Sequence, residues 1–304
     1  MTANAHRVRT PVTAAEVKAV AVLAMGFGLV GFDRFLIATM FPVIAGDLHL
    51  SYGDIGTITG ALAIAWGIAA LYTGNISDRI GRRIVLVASL VLFSLLIGAS
   101  GLATGLAGLV AVRVVMGIAD GAYTPTSIAA TLEASPPDRH GLNIGIQQMM
   151  LPLCGLGVAP LLVGALLHWL DWRQIFLAFI LPGLCLAYAA YRVVPAPRTF
   201  AHSPRSSGGD WVRVLAERNV RLGGGLMLCW LTCLVTTAAF LPNYLTDHLH
   251  LAFGAMATVM SAIGIGSTAG TLALPWLSDY VGRRPVMILS TLCVLGSLLL
   301  LSVA

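Results

Sequence analysis

Apolar stretches of about 20 residues recur along the whole chain, separated by short polar connections, and that pattern leaves few folds open. At 1.5 Å of rise per residue, a stretch of this length covers the roughly 30 Å hydrocarbon core of a bilayer. Inside lipid each backbone N–H and C=O must find its partner within the segment, so such stretches are helices. Nine are readable, over 17–45, 54–76, 84–104, 106–132, 142–168, 173–194, 221–245, 254–277 and 285–304. The composition agrees: 58% of the 304 residues are hydrophobic and 10% charged, against about 25% charged in soluble domains. The fold class is all-α transmembrane, with the first stretch a retained helix, because it exceeds a signal-peptide core and lacks a small-residue cleavage site after it.

The net charge of +5 does not point to nucleic acid, because the basic residues follow the membrane's own charge rule. With the N-terminus placed inside, all of the 18 lysines and arginines except Arg34, Arg113 and Arg173 fall in inside segments. That bias predicts a multi-pass inner (plasma) membrane protein with a cytoplasmic N-terminus. Cys154, Cys185, Cys229, Cys233 and Cys293 lie in predicted helices without a C-x-x-C pair and read as buried, inert thiols. The histidines lack metal-ligand spacing, so no metal and no cofactor is expected.

Residues 195–220 carry Pro195, Pro197, Pro204, Gly208 and Gly209 and form the expected cytoplasmic linker. It divides a six-helix bundle, 1–194, from an incomplete three-helix bundle, 221–304. An internal repeat crosses this division: residues 48–83 align with 249–284 at a constant offset of 201. Leu48-His49-Leu50 matches Leu249-His250-Leu251, and Ser77-Asp78 with Gly81-Arg82-Arg83 matches Ser278-Asp279 with Gly282-Arg283-Arg284. The copies fall on the second and the eighth stretch, an offset of six helices, so both cross the membrane in the same sense, as in transporters built from two parallel halves. Two such halves require roughly 400 residues, so the chain reads as a C-terminally truncated product, a fragment or a short paralogue.

Four ionisable residues interrupt the apolar stretches: Asp33, Arg34, Arg113 and Asp120. Each costs about 2.5–3.5 kcal/mol at a helix centre on insertion scales, which marks them as functional candidates. Asp33 and Asp120 both reach mid-membrane depth and can share one cavity, where a desolvated carboxylate beside an arginine binds and releases protons. Arg34 can hold a carboxylate substrate through a bidentate pair. The structural alternative is that Asp33–Arg34 and Arg113–Asp120 are pairs within their own helices. Gln147 with Gln148, and Trp230, Thr236, Asn243 and Tyr244, are candidates either to line the path or to cap the interface. Asp171-Trp172-Arg173 reads as an interfacial anchor.

The run Gly74-Asn75-Ile76-Ser77-Asp78-Arg79-Ile80-Gly81-Arg82-Arg83 resembles the loop signature of the major facilitator superfamily. A second copy has Pro275 in place of the glycine and Tyr280 in place of the arginine. Glycine lets helices approach, the aspartate offers a carboxylate to a helix N-terminus, and the arginines anchor at the inner surface, so the loop can act as a latch. The resemblance implies that Asp78 meets an eleventh helix beyond residue 304, and that Asp279 meets the start of the fifth helix near Gly141–Asn143.

Phe32-Asp33-Arg34, Ala65-Trp66-Gly67 and Gly117-Ile118-Ala119-Asp120-Gly121-Ala122 together resemble the organic anion:proton symporters of that superfamily. Those carry an Asp-Arg pair in the first helix and a glutamate in the fourth, where this chain has Asp120. Arg113-x-x-x-Gly117-x-x-x-Gly121 resembles a pattern of proton-linked members and suits close helix contact. Gly155 to Gly164 partly resembles the glycine-proline signature of drug:proton antiporters, and reads otherwise as a close-packed helix bent at Pro160. The expectation is a monomeric, proton-coupled importer of a small organic anion. A drug:proton antiporter and a non-transporting paralogue are the alternatives. No nucleophile–base pair or phosphate-binding loop points to an enzyme.

Overall fold

The computed structural model describes residues 11–195 and 216–303. The linker assigned to 195–220 therefore lies, from 196 to 215, outside the described residues, as do Arg7, Arg9, Arg198, Arg205 and Arg213. Every regular element among the described residues is helical. In chain order they are α1 (Ala14–Leu48), α2 (Tyr52–Ile80), α3 (Arg82–Gly101) and α4 (Leu106–Ala134). The fifth, α5, is built of His140–Pro152, a π-helical segment Leu153–Val158 and Ala159–Leu166. Then come α6 (Trp172–Ala178 and Ile180–Val193), α7 (Arg218–Asn243, continuing as a π turn Tyr244–His248), α8 (Phe253–Val281) and α9 (Arg283–Val303). Eight of these are long and apolar enough to span a bilayer, and the described apolar stretch of α9 is shorter, Arg284–Ser297.

The element order follows from the sequence at its ends. Thr13 caps α1 by accepting the Glu16 N–H, and Ser51 with Asp54 forms a capping box on α2. Gly81 closes α2 at φ 97° and Gly282 separates α8 from α9 at φ 99°, a region in which a side chain is strained. His49 and His250, also repeat partners, both adopt the left-handed conformation, at φ 52° and 53°. The duplication is thus written in backbone angles as well as in residues.

α1 is apolar on all sides and accordingly lies at the centre, with Leu23, Leu36, Met40 and Phe41 fully buried. α4 packs on α2 through glycine: a Cβ on Gly117 would meet the Leu62 carbonyl oxygen at 2.5 Å, and one on Gly121 the Trp66 carbonyl oxygen at 2.5 Å. Before Pro160, where a bend is expected, the helix runs as a π segment, and the Ala159 N–H reaches back to the Cys154 carbonyl. Gly155 there packs on the backbone of Gly31, and Gly157 faces Gly264 of α8.

The bundle has a distal end, carrying the α1–α2, α5–α6 and α7–α8 connections, and a proximal end, carrying α2–α3, α4–α5 and α8–α9. The two repeat-related halves meet distally. Phe35 of α1 and Leu156 of α5 share a buried cluster with Leu241, Leu245, Met256 and Met260 of α7 and α8. Proximally they diverge: residues 218–230 of α7 are all exposed. The cysteines are not buried as expected, since Cys185, Cys229 and Cys293 are exposed and Cys154 and Cys233 half-buried. A thiol is apolar enough for the outer face of a spanning helix.

Candidate functional site

Adjacent helical residues point about 100° apart, so Asp33 and Arg34 cannot face each other. Arg113 and Asp120 lie two turns apart, about 10 Å along the axis, and cannot touch either. The four charges instead pair across helices, which corrects the within-helix alternative. Arg113 donates from Nη1 to Asp33 Oδ2 at 2.5 Å and from Nη2 to Oδ1 at 3.4 Å. Its Nη2 also reaches Ser100 Oγ at 3.4 Å, which ties α1 to α3 and α4. Both members of this pair are 1% exposed. The second pair joins Arg34 Nη2 to Asp120 Oδ2 between α1 and α4.

A cavity opens beside the second pair, between the halves. Arg34, Phe35 and Ala38 of α1, Thr59, Leu62 and Trp66 of α2, Arg113 of α4, and Val235 and Ala239 of α7 are among its walls. The Arg34 guanidinium lies over the Trp66 ring with Cζ 4.9 Å from the ring centre, a cation–π contact. Asp33 and Asp120 are both buried, and it is their arginine partners that reach the cavity wall. Trp66, marked in the sequence only within a resemblance, enters the site through its ring. Its apolar spacing on α2 gave no separate signal.

Of the other candidates, Gln147 is fully buried and donates from Nε2 to Ser127 Oγ at 2.9 Å, while its Oε1 has no hydrogen-bond partner. Asn243 is 4% exposed, and neither its amide nitrogen nor its oxygen has one. It lies one turn beyond the cavity residue Ala239, on the same face of α7. Gln148 is half-buried, Trp230 and Thr236 are exposed, and Tyr244 stacks on His248 at 5.1 Å. In the run expected as an anchor, Trp172 Nε1 donates to Asp47 at 3.2 Å and Arg173 donates to the same carboxylate.

The loop residues gather at the proximal end. Arg82 bridges Glu133 of α4 at 2.9 Å and Asp78 at 3.5 Å. Arg83 lies 4.0 Å over the ring of Tyr191, and Arg79 and Arg284 are exposed. Gly74 does not mediate a close helix approach here, since a Cβ on it would meet nothing within 4 Å. Gly282 holds its turn through backbone freedom, while the side chains of Asp279 and Arg283 lie outside what is described. The α5 position expected to receive Asp279 is engaged by α1: Asn143 donates to Glu16 Oε1 at 2.9 Å, and Arg139 Nη2 to Glu16 Oε2 at 2.7 Å.

A family profile described as Major Facilitator Superfamily matches residues 23–304. The chain belongs to the major facilitator superfamily. Within the superfamily, it is 30% identical to a chloramphenicol resistance protein of Streptomyces lividans, covering 93% of this chain and 69% of that one. It is 26% identical to a hexuronate transporter of Bacillus subtilis, covering 83% of this chain and 62% of the relative. A bacterial homolog of the human lysosomal transporter Spinster, solved inward-facing and unoccupied, superposes with a TM-score of 0.74 at 17% identity, over 90% of this chain and 64% of that one. The chain thus spans about two thirds of the length of these superfamily members, and it is a multi-pass membrane protein of their all-helical fold.

Proposed function

We propose that this chain takes up a small organic anion together with a proton by alternating access. The observation that carries this reading is the pairing at the cavity: Arg34 is held by Asp120 at the wall, while Asp33 is sealed behind its own partner, Arg113. Two carboxylates and two guanidiniums leave the cluster neutral. An anion that enters adds an uncompensated charge to a poorly solvated site, at a cost of several kcal/mol. A proton arriving with it restores neutrality.

In this reading Asp120 takes that proton. When the carboxylate of the incoming anion captures Arg34, Asp120 loses its counter-ion, and the proton that travels with the anion offsets the charge left without a partner. Asp33 keeps its own bidentate arginine throughout and serves as a brace. Gln147 and Asn243, with unpartnered polar atoms on α5 and α7, contribute further contacts as the halves close.

In this reading the proximal end is cytoplasmic, the N-terminus lies inside, and the protein works as a monomer in the inner membrane. The six-helix bundle, residues 1–194, rocks against residues 221–304 about the linker 195–220. Residues Gly74, Asp78, Arg79, Gly81, Arg82 and Arg83, with Asp279, Gly282, Arg283 and Arg284, form the cytoplasmic latches that close in the opposite state. The hexuronate transporter supports an anionic substrate.

The test is uptake of labelled organic acids into proteoliposomes under an imposed pH gradient. Wild type accumulates the acid, whereas Asp120→Asn abolishes accumulation and retains counterflow exchange. Absence of any pH-driven acid uptake overturns the reading. The chloramphenicol resistance relative favours one other reading, drug:proton antiport. Proton-driven extrusion of chloramphenicol by the same vesicles, without acid uptake, would establish that alternative.

A further inference from the structure

Four buried polar atoms at the cavity wall or directly behind it lack a hydrogen-bond partner: Arg34 Nε, Trp66 Nε1 and Arg113 Nε on wall residues, and Asp120 Oδ1 behind Arg34. Those of Arg34, Trp66 and Asp120 belong to one constellation, since Arg34 donates to the other oxygen of Asp120 and lies over the Trp66 ring, whereas Arg113 is held by Asp33. Three are donors and one is an acceptor. Buried groups of this kind favour whatever supplies the missing bonds and reject what does not.

A bare carboxylate supplies acceptors for the N–H groups of Arg34 and Trp66 but has no proton to offer Asp120 Oδ1. A hydroxyl on the carbon next to the carboxylate does. We infer that the site recognises a 2-hydroxy acid, with the carboxylate on Arg34 Nε and Trp66 Nε1 and the hydroxyl donating to Asp120 Oδ1. This rests on the organic-anion reading above and narrows it. The hydroxyl contact persists when Asp120 is protonated, because a carboxylic acid keeps an acceptor oxygen.

The walls restrict the rest of the molecule. Phe35, Leu62, Ala63, Val235 and Ala239 offer only apolar surface, and the Thr59 hydroxyl already donates to the Ile55 carbonyl at 2.7 Å. From these walls the body of the ligand is apolar, because further hydroxyls would be desolvated against them without partners. The indole ring of Trp66 suits a flat body in particular.

Mandelate and phenylacetate separate the claims, since they share the ring and carboxylate and differ by the 2-hydroxyl. Binding to the purified full chain in lipid nanodiscs is measured by calorimetry. Mandelate is expected to bind at least tenfold tighter than phenylacetate. Trp66→Phe, which removes the N–H and keeps a ring, is expected to weaken both acids about tenfold and preserve their ratio, whereas Asp120→Ala brings the ratio close to one. Equal affinity of wild type for the two acids overturns the 2-hydroxy inference and leaves the anion reading standing. Failure of both acids to bind overturns the two together, and an unaltered affinity in Trp66→Phe removes the indole from the site.

Discussion

Asp33 and Arg34 are neighbours in the chain and separate in space. One turns inward to α4, where Arg113, itself donating to Ser100 of α3, binds it, and the other turns toward Trp66 and the cavity. The consequence is unequal roles for two aspartates that look alike in the sequence. Asp33→Asn leaves Arg113 buried at 1% exposure with a weakened partner, and breaking a buried pair costs about 3–5 kcal/mol. Asp120→Asn strands Arg34, which is 19% exposed and retains its ring contact, so the loss of stability is smaller. Thermal unfolding of the two variants in detergent checks this. Equal melting temperatures would contradict the division into a brace and a mobile pair.

Between α2 and α4 the seam is set by two glycines spaced one turn apart. Gly117 and Gly121 bring the α4 backbone against the carbonyls of Leu62 and Trp66, and this approach carries Arg113 and Asp120 to their depth. Gly121→Leu forces the helices apart, an overpacking that costs about 1–3 kcal/mol, and it disturbs the Arg34–Trp66 contact along with stability. The measurement is a lowered melting temperature together with weakened acid binding. Gly81 makes a different demand, through its backbone. At φ 97° a side chain is strained, so Gly81→Ala costs about 1–3 kcal/mol, whereas Gly74→Ala, with open space around its Cβ position, is neutral. Comparing these two variants, one at the turn and one inside α2, separates a conformational need from mere presence in the motif.

Across the whole molecule, the halves are joined distally and splayed proximally. Tyr52 at the start of α2 donates to Asp247 in the π turn after α7, a side-chain bond between the halves. The other described side-chain hydrogen bonds of α7 to α9 return to the backbone of their own helix. Tyr52→Phe therefore loosens the distal closure while sparing the cavity. Spin labels at positions 53 and 249 are expected to gain a longer-distance population in this variant. An unchanged distance distribution would mean that the apolar cluster around Phe35, Leu241 and Met260 holds the distal end closed by itself.

The spans, their number up to α8, and the duplicated turns were legible in the sequence, because the bilayer demands a fixed apolar length and lets only a glycine or a rare left-handed residue turn the chain at 49, 81, 250 and 282. The four membrane charges were legible too, since each is costly in hydrocarbon wherever it points. Which charge pairs with which was not, for a one-residue step along a helix rotates a side chain by about 100° and only the neighbouring helices decide what it meets. For the same reason Trp66 stayed hidden among apolar residues until α1 laid Arg34 across its ring. The tertiary structure alone decided that one carboxylate is locked away and the other stands behind the cavity wall.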